Sequence, residues 1–204
     1  MVARDETKLL VSLSGETELP PGKIAEAVTY LEMLAPPPRR DAPAGGLALE
    51  RFTDLARYLA LFRRVGEPWL WGSRLRIPAA EVGVILSSPE VETFALRSGG
   101  EDAGILELDF RQPGECELAY FGVVPEAIGT GAGRFLMNEA IRRAWSRPIR
   151  RFWLHTCTFD HPGALAFYRR SGFRAYKRAI EITDDPRLTG VLPRDAAPEV
   201  PVIG

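Results

Sequence analysis

The sequence predicts an α/β fold in which helices pack on a partly antiparallel sheet. Residues 91–124 contain three strand-like runs separated by the turns SGGED and QPG, a pattern typical of an antiparallel meander. The third run leads directly into a glycine-rich turn and an amphipathic helix, and a strand–helix–strand pattern follows over 151–182. Strands and helices therefore alternate through most of the chain.

The chain before the meander is predicted to hold one strand and two helices. The β-branched and aromatic run from Ile24 to Leu34 predicts the first strand, and a loop rich in proline and glycine follows it. Apolar residues recur at helical spacing from Leu47 to about Val65, and a second short helix begins near Pro78. Further strands are expected over 91–97, 103–110, 115–124, 151–159 and 173–182.

Proline and glycine also mark the expected domain boundaries. Residues 1–22 are polar and end in Pro-Pro-Gly, which predicts an N-terminal extension before a domain over 23–182. Residues 183–204 are proline-rich and show little periodicity, so an extended or disordered tail is expected there.

Composition excludes several classes of protein. A chain of 204 residues, 46% hydrophobic and 26% charged, can bury one sizeable core. Its net charge of −1 argues against nucleic-acid binding, and the absence of a long apolar run argues against a membrane span. Two cysteines, Cys116 and Cys157, and a charged N-terminal start favour a cytoplasmic protein without disulfides. The oligomeric state stays open between a monomer and a homodimer.

The glycine-rich turn, IGTGAG, indicates an anion-binding site. Gly129, Gly131 and Gly133 let the backbone approach a ligand closely at the positive end of the following helix. A mononucleotide P-loop would need Lys and then Ser or Thr where Arg134 and Phe135 stand, and Arg134 also replaces the last glycine of the dinucleotide fingerprint. The alternative is a tight corner between a strand and a helix that binds nothing.

A second motif, HPGALAFYRRSGF at 161–173, lies downstream of this turn. Taken with VVPEAIGTGAG, its order and spacing resemble the GNAT superfamily of acyl-CoA-dependent N-acetyltransferases. The match falls on Gly131 and Gly133 in the first motif, and on Ala164, Tyr168, Gly172 and Phe173 in the second. Ile128 replaces the usual Gln or Arg, and His161 replaces the usual Asn.

The resemblance implies a GNAT-type mixed, mostly antiparallel twisted sheet flanked by helices on both faces, covering about 23–182. It also implies acetyl-CoA as co-substrate, and with only two histidines no metal is expected. The cofactor-binding residues carried over from the motifs are Phe121, Val123, Ile128, Gly129, Thr130, Gly131, Ala132, Gly133, Arg134, His161 and Ala164. The arginines at 142, 143, 147, 150 and 151 are expected to be solvated or to meet the outer phosphates.

Acetyl transfer needs a neutral amine, and therefore a base. By resemblance to histone-type members of the family, Glu117 is the candidate base, with Glu115 and Glu107 as alternatives. Tyr168 is the candidate acid for the departing thiolate. A backbone N–H at a bulge between Tyr120 and Val124, that of Phe121, is the expected donor to the thioester carbonyl. Each side chain also has a structural alternative: a solvated carboxylate for Glu117, a packing aromatic for Tyr168.

The acceptor pocket is expected beside the loop VGEPWLWGSRL. Trp69 and Trp71 could enclose an acceptor or fill the core, and Glu67 is the candidate ligand for an ammonium group. His155, alone within a strand pattern, is expected to be a hydrogen-bonded core residue.

These features favour an N-acetyltransferase that moves an acetyl group from acetyl-CoA to a small-molecule or peptide amine by direct transfer in a ternary complex. Neither cysteine lies in a matched catalytic position, which disfavours an acyl-cysteine route. The alternatives are a non-catalytic domain that binds or senses acyl-CoA, and a protein-interaction module.

Overall fold

Seven strands form one sheet in the computed structural model, which describes residue 12, residues 14–42 and residues 45–204. The strands are β1 (Lys23–Met33), β2 (Leu47–Arg51), β3 (Val91–Ser98), β4 (Glu101–Asp109), β5 (Glu115–Val123), β6 (Arg151–Cys157) and β7 (Arg174–Asp184). Their order in the sheet is β2-β3-β4-β5-β6-β1-β7, and every neighbouring pair is antiparallel except β5 and β6. The predicted mixed, mostly antiparallel fold is confirmed.

Within the described residues, five helices connect these strands. They are α1 (Leu55–Gly66), α2 (Ser73–Arg76), α3 (Ala79–Leu86), α4 (Ala132–Ala144) and α5 (Ala164–Arg170), with short 3-10 turns at Glu67–Trp69 and Pro125–Ala127. The Tyr58 hydroxyl of α1 donates a hydrogen bond to Glu107, whereas the Arg143 guanidinium near the end of α4 stacks on the Phe94 ring. Glu107 and Phe94 point to opposite faces of the sheet, because Thr93 pairs with Glu107 and Phe94 is the next residue along β3. Helices therefore cover both faces.

The segment expected to be helical from Leu47 divides into a strand and a helix. Residues 47–51 pair with β3 as the edge strand β2, and α1 begins only at Leu55. The Asp54 carboxylate fixes this start, because it accepts hydrogen bonds from the amides of Ala56 (2.7 Å) and Arg57 (3.3 Å). Apolar spacing alone did not reveal that N-cap.

The C-terminal segment also differs from the sequence expectation. Strand β7 continues to Asp184, and the following residues fold into turns rather than an extended or disordered tail. Leu192, Ala196 and Ala197 are buried against Leu70 in a small second cluster, with Phe159 packed beside it. A buried ion pair between Arg187 and Asp185 (2.7 Å) holds these turns together.

Candidate active site

A cleft opens where two parallel strands separate. Strands β5 and β6 pair only from Glu115 to Glu117, opposite Arg151 to Trp153. Beyond that point the pairing ends and a cleft of about 860 Å³ begins. Its walls are the end of β5, the glycine turn, the start of α5 and the loop before α2. The split thus exposes backbone and side chains of β5 to a ligand.

Strand β5 carries a bulge at the split. Leu118 pairs with Leu108 and Tyr120 with Glu107, which leaves Ala119 as an extra residue. This bulge lies just before the stretch in which one was expected. The Val124 amide donates to Ala103 of the neighbouring β4 side (3.0 Å), so backbone alternation directs the amides of Phe121 and Val123 the other way, toward the cleft.

The glycine turn is open toward the cleft. Gly129 (φ 81°) and Gly131 (φ 92°) take conformations that other L-residues rarely adopt. An added Cβ at Gly129 or Gly133 would meet no atom within 4 Å, although both residues line the cleft. The N-cap residue of helix α4, Gly131, has no side chain to cap it, and among the first amides that of Ala132 makes a long hydrogen bond to the Thr130 hydroxyl (3.4 Å). The amides of Gly133 and Arg134 are therefore available to an anionic group lying in this space.

Nine of the eleven residues carried over as cofactor contacts line the cleft, namely Phe121, Val123, Ile128, Gly129, Gly131, Gly133, Arg134, His161 and Ala164. The other two do not. The Thr130 hydroxyl turns back to donate to the carbonyl of Ala127 (2.8 Å), and the Ala132 methyl group is buried in the core. The Thr130 side chain is thus committed to the backbone of the turn, and the Ala132 side chain to the packing of α4.

The two departures from the family motif have different surroundings. His161 Nδ1 accepts the amide of Gly163 (2.9 Å), so the ring leaves Nε2 as its other polar atom at the cleft. Ile128 is 42% exposed at the rim. Next to it in the cleft, the Arg134 guanidinium lies 4.9 Å from the Phe167 ring centroid and donates to Ser171 (3.1 Å). Burial and the nearby Arg40 and Arg170 lower the pKa of Arg134.

Glu117 is the carboxylate closest to the split, since its residue ends the β5–β6 pairing. Burial, followed by the charges of Asp109 and Glu107, raises its pKa from 4.5 to about 7. Its side chain is still 27% exposed and lines the cleft. A carboxylate with this pKa can both accept and release a proton near neutral pH.

The alternative bases are engaged elsewhere. Glu107 is fully buried, accepts the Tyr58 hydroxyl (2.6 Å) and pairs with Arg74. Glu115 pairs with Arg151 at 3.3 Å. Neither carboxylate lines the cleft, because both are committed to fixing neighbouring elements of the fold.

Tyr168 lines the opposite wall of the cleft. Its side chain is 9% exposed and packs against the rings of Phe121, Phe167 and Phe173. Its hydroxyl has no hydrogen-bond partner among the residues that the structure describes. Burial raises the pKa of the phenol, so the group keeps its proton. A buried phenol with a free donor in a cleft fits a ligand atom that accepts a proton.

The tryptophan loop forms one wall of the cleft. Trp71 lines the cleft and packs on Phe62 and Tyr120, while its Nε1 donates to Asp160 (3.1 Å). It is therefore both wall and packing residue. Trp69 lines the cleft against His161, with ring centroids 5.3 Å apart. Glu67 is not among the lining residues, because the 3-10 turn that it opens brings Trp69 to Trp71 to the cleft instead.

Sequence reasoning missed the part of the cleft built by the first and last strands. Glu26 of β1 and Glu181 of β7 face each other across the sheet and both line the cleft. Burial raises the pKa of Glu26, and Glu181 and Asp160 add to the effect. The strand pairing that brings these residues to the site joins positions 155 residues apart in sequence, and no local motif signals it.

Two further residues differ from expectation or were overlooked. His155 is not a core residue: its side chain is 46% exposed and lines the cleft, and its Nδ1 lies 3.8 Å from Glu117 Oε1. Partial desolvation lowers the pKa of this histidine. Asp160 ties the two walls together, since it accepts hydrogen bonds from Trp71, Thr156 (2.6 Å) and the Cys157 amide (2.9 Å).

The arginine-rich segment formed by the last turn of α4 and the residues after it makes ion pairs and cation–π contacts away from the cleft. Arg147 pairs with Glu92 (2.6 Å) and stacks on Phe110, and Arg151 pairs with Glu32 (2.9 Å). None of the five arginines lines the cleft. Within the described ranges, no three His, Cys, Asp or Glu side chains are grouped to hold a metal ion. No helix in the described part of the chain has the length and apolarity needed to cross a bilayer.

A mixed sheet that splits beside a glycine turn, with a carboxylate and a phenol at the split, defines an α/β protein with a built ligand cleft. Residues 56–173 match the Acetyltransferase (GNAT) family, which is more than half of the chain. The chain belongs to this family, and the resemblance seen in the two motifs is confirmed.

Individual relatives agree with this assignment. The chain is 34% identical over 111 residues to the N-alpha-acetyltransferase RimI of Mycobacterium tuberculosis, a stretch that covers 53% of this chain and 63% of that relative. A GNAT-family structure from Novosphingobium aromaticivorans is 23% identical with a TM-score of 0.53, covering 82% of this chain and 68% of the other. A GCN5-related N-acetyltransferase from Kribbella flavida is 18% identical with a TM-score of 0.55, covering 83% and 63%. The two solved structures share the fold.

Proposed function

We propose that the protein transfers an acetyl group from acetyl-CoA to a primary amine, directly and within a ternary complex. The observation that carries this proposal is that Glu117, with a pKa of about 7, and the Tyr168 phenol line one cleft at the split between β5 and β6. Acetyl-CoA supplies the activated acetyl thioester. The residues of this chain bind, orient and exchange protons around it.

The cofactor side of the cleft suits a pyrophosphate and its pantetheine arm. Amides at the start of α4, with open space at Gly129 and Gly133, would hold the phosphates. Amides of Phe121 and Val123 are the donors for the extended arm, and the Phe121 amide is the proposed donor to the thioester carbonyl. His161 and Arg134 would complete the mouth of this side.

Proton transfer is assigned to two side chains. Glu117 accepts the proton that the attacking ammonium must lose, directly or through one water, and His155 at 3.8 Å is placed to interact with it. Tyr168 keeps its proton through burial and donates it to the departing thiolate. Cys116 and Cys157 have pKa values raised by burial, which disfavours a thiolate nucleophile.

The acceptor side favours an amine on a cationic molecule. Trp69 and Trp71 supply aromatic walls, and Glu26 adds a further carboxylate to the cleft that Glu117 lines. The M. tuberculosis relative is named an N-alpha-acetyltransferase, so peptide N-termini belong in the acceptor panel with small polyamines. An α-amino group has a pKa of about 7.7–8.0. A base with a pKa near 7 can deprotonate it, because the two pKa values are close.

Turnover with an amine panel tests this proposal. We expect thiol release from acetyl-CoA that depends on an added amine, with Tyr168→Phe reducing the rate about a hundredfold and leaving acetyl-CoA affinity unchanged. Binding of acetyl-CoA without turnover across the panel would favour the non-catalytic acyl-CoA-binding alternative. No binding by the folded protein would overturn both.

A further inference from the structure

The last strand of the sheet, β7, has a free edge along its full length. Only β1 pairs with it, and among the described residues no other segment pairs with its outer edge. Eight of its eleven residues are exposed, all except Ala179, Ile182 and Thr183, and the exposed residues include Ile180 at 60% and Tyr176 at 42%. An exposed edge with apolar side chains is a template for another strand.

The charges of this edge are self-complementary in one register. We propose that a second copy of this chain docks on it, so that two β7 strands pair antiparallel about a two-fold axis at Ala179 and the sheet continues across the dimer. In this register Lys177 of each copy lies opposite Glu181 of the other. Two ion pairs then flank the axis, and each joins directly opposed positions.

The neighbouring registers are less favourable. In an antiparallel pair, directly opposed residues point to the same face of the sheet. A two-fold axis between two β7 strands must therefore lie between the two copies of one residue. An axis at Lys177, Arg178 or Glu181 would put that charge opposite itself. An axis at Ile180 would leave Lys177 opposite Thr183 and Glu181 opposite Ala179. Of these axes, only the one at Ala179 places Lys177 opposite Glu181.

The single chain also leaves a charge at this edge without a partner. Glu181 lies directly opposite Glu26 and forms no ion pair within the described part of the chain. Like charges at opposed positions destabilise a sheet. Lys177 of the second copy would offset this repulsion from the other side of Glu181, while the Arg178 stem would cover Ile180 on the opposite face.

Sedimentation velocity of the full chain from low to high micromolar concentration tests the dimer. We expect the 22.6 kDa monomer to convert to a dimer as concentration rises. Lys177→Glu and Glu181→Lys should each weaken dimerisation about tenfold or more, and the double exchange should restore it. Arg51→Glu on β2, at the other edge of the sheet, should leave it unchanged. Glu181→Lys faces Glu26, so this variant should keep its melting temperature.

A cysteine on the axis gives a second measurement. Ala179→Cys should form an interchain disulfide under mild oxidation, because residue 179 faces itself, whereas Thr183→Cys should not. A monomer at every concentration, or a dimer that the single charge reversals do not weaken or the double exchange does not restore, would overturn the proposal. None of these readouts depends on acetyl transfer.

Discussion

Glu117 has an environment that the sequence could place but not describe. Its position before the glycine turn came from the family match, whereas its raised pKa comes from burial and from Asp109 and Glu107 on the neighbouring strand. We expect the ratio of wild-type to Glu117→Gln kcat/KM to rise with pH through about 7 and then level off, since only the ionised carboxylate accepts a proton.

The variant should be slower by a factor of about 10² to 10⁴ on the plateau. Glu115→Gln serves as the matched control, because Glu115 is on the same strand but is paired with Arg151, and its pH profile should follow that of the wild type. A Glu117→Gln profile with the wild-type rise near pH 7 would remove Glu117 as the base.

The same carboxylate makes a separate prediction about stability. The pKa of Glu117 in the folded protein lies above its ordinary value of 4.5, so its contribution to stability is greatest at low pH and is lost as pH rises toward 7. The free energy of unfolding of Glu117→Gln, relative to the wild type, should therefore increase between pH 4.5 and pH 7. Urea unfolding at several pH values measures this, and a constant difference would show that the carboxyl is not desolvated.

Glu26 offers a test of the acceptor side. Glu26→Gln should raise the KM for a cationic amine about tenfold and leave the KM for acetyl-CoA unchanged, because it removes one carboxylate from the lining of the proposed acceptor side. Glu101→Gln, at an exposed position of β4, is the control. An equal change in both KM values would indicate a general disturbance of the cleft rather than a lost acceptor contact.

Among the elements, the glycine turn and α5 were predictable because their residues are adjacent in sequence. The split between β5 and β6 was not, since it depends on how far two strands from distant parts of the sequence stay paired. The position of β2 was also missed, because LALER reads equally as a helix start until Asp54 is recognised as the N-cap. The pairing of β1 with β6 and β7 alone brings Glu26, His155 and Glu181 to the candidate site.

Helix α4 allows the proposed phosphate site at the glycine turn to be tested without loss of stability. Gly133 lies within the helix and faces open space, so Gly133→Ala should stabilise the fold by about 0.5–1 kcal/mol. The added methyl group would nevertheless occupy the space assigned to the phosphates. We expect calorimetric affinity for acetyl-CoA to fall at least about tenfold.

Gly83→Ala provides the matched control, because Gly83 lies in α3 and its Cβ would make only an ordinary contact with Leu55 at 3.5 Å. It should gain similar stability and keep full affinity. Equal affinity of both variants for acetyl-CoA would place the phosphates elsewhere.

At the scale of the whole molecule, the C-terminal segment is held against the residue that precedes β1. The Gly22 amide donates to the carbonyl of Ile203 (2.9 Å), and the Asp185 amide donates to Gly22 (2.9 Å). Composition suggested a loose tail because proline and small residues dominate it, but a buried arginine joins its turns beside the small apolar cluster around Leu192. Arg187 donates to Asp185 and to the carbonyls of Ala196, Ala197 and Val200.

Arg187→Ala should therefore destabilise the protein by about 3–5 kcal/mol, because it leaves the Asp185 carboxylate buried without its cation. Arg187 holds the pKa of Asp185 below 3.8, so this difference should shrink as pH falls through that range. Arg194→Ala, at an exposed position of the same segment, is the control. Thermal unfolding at neutral and acidic pH measures both the loss of stability in Arg187→Ala and its decrease at low pH.

The C-terminal segment should also affect binding of the acceptor amine. Leu192 packs in the cluster that contains Leu70, with Phe159 beside it, and both Leu70 and Phe159 line the cleft. Loosening the tail should move the acceptor wall while leaving the glycine turn in place. We expect Arg187→Ala, assayed below its melting temperature, to raise the KM for the amine and spare the KM for acetyl-CoA. Unchanged KM values in a destabilised variant would show that the tail supports the fold but takes no part in shaping the cleft.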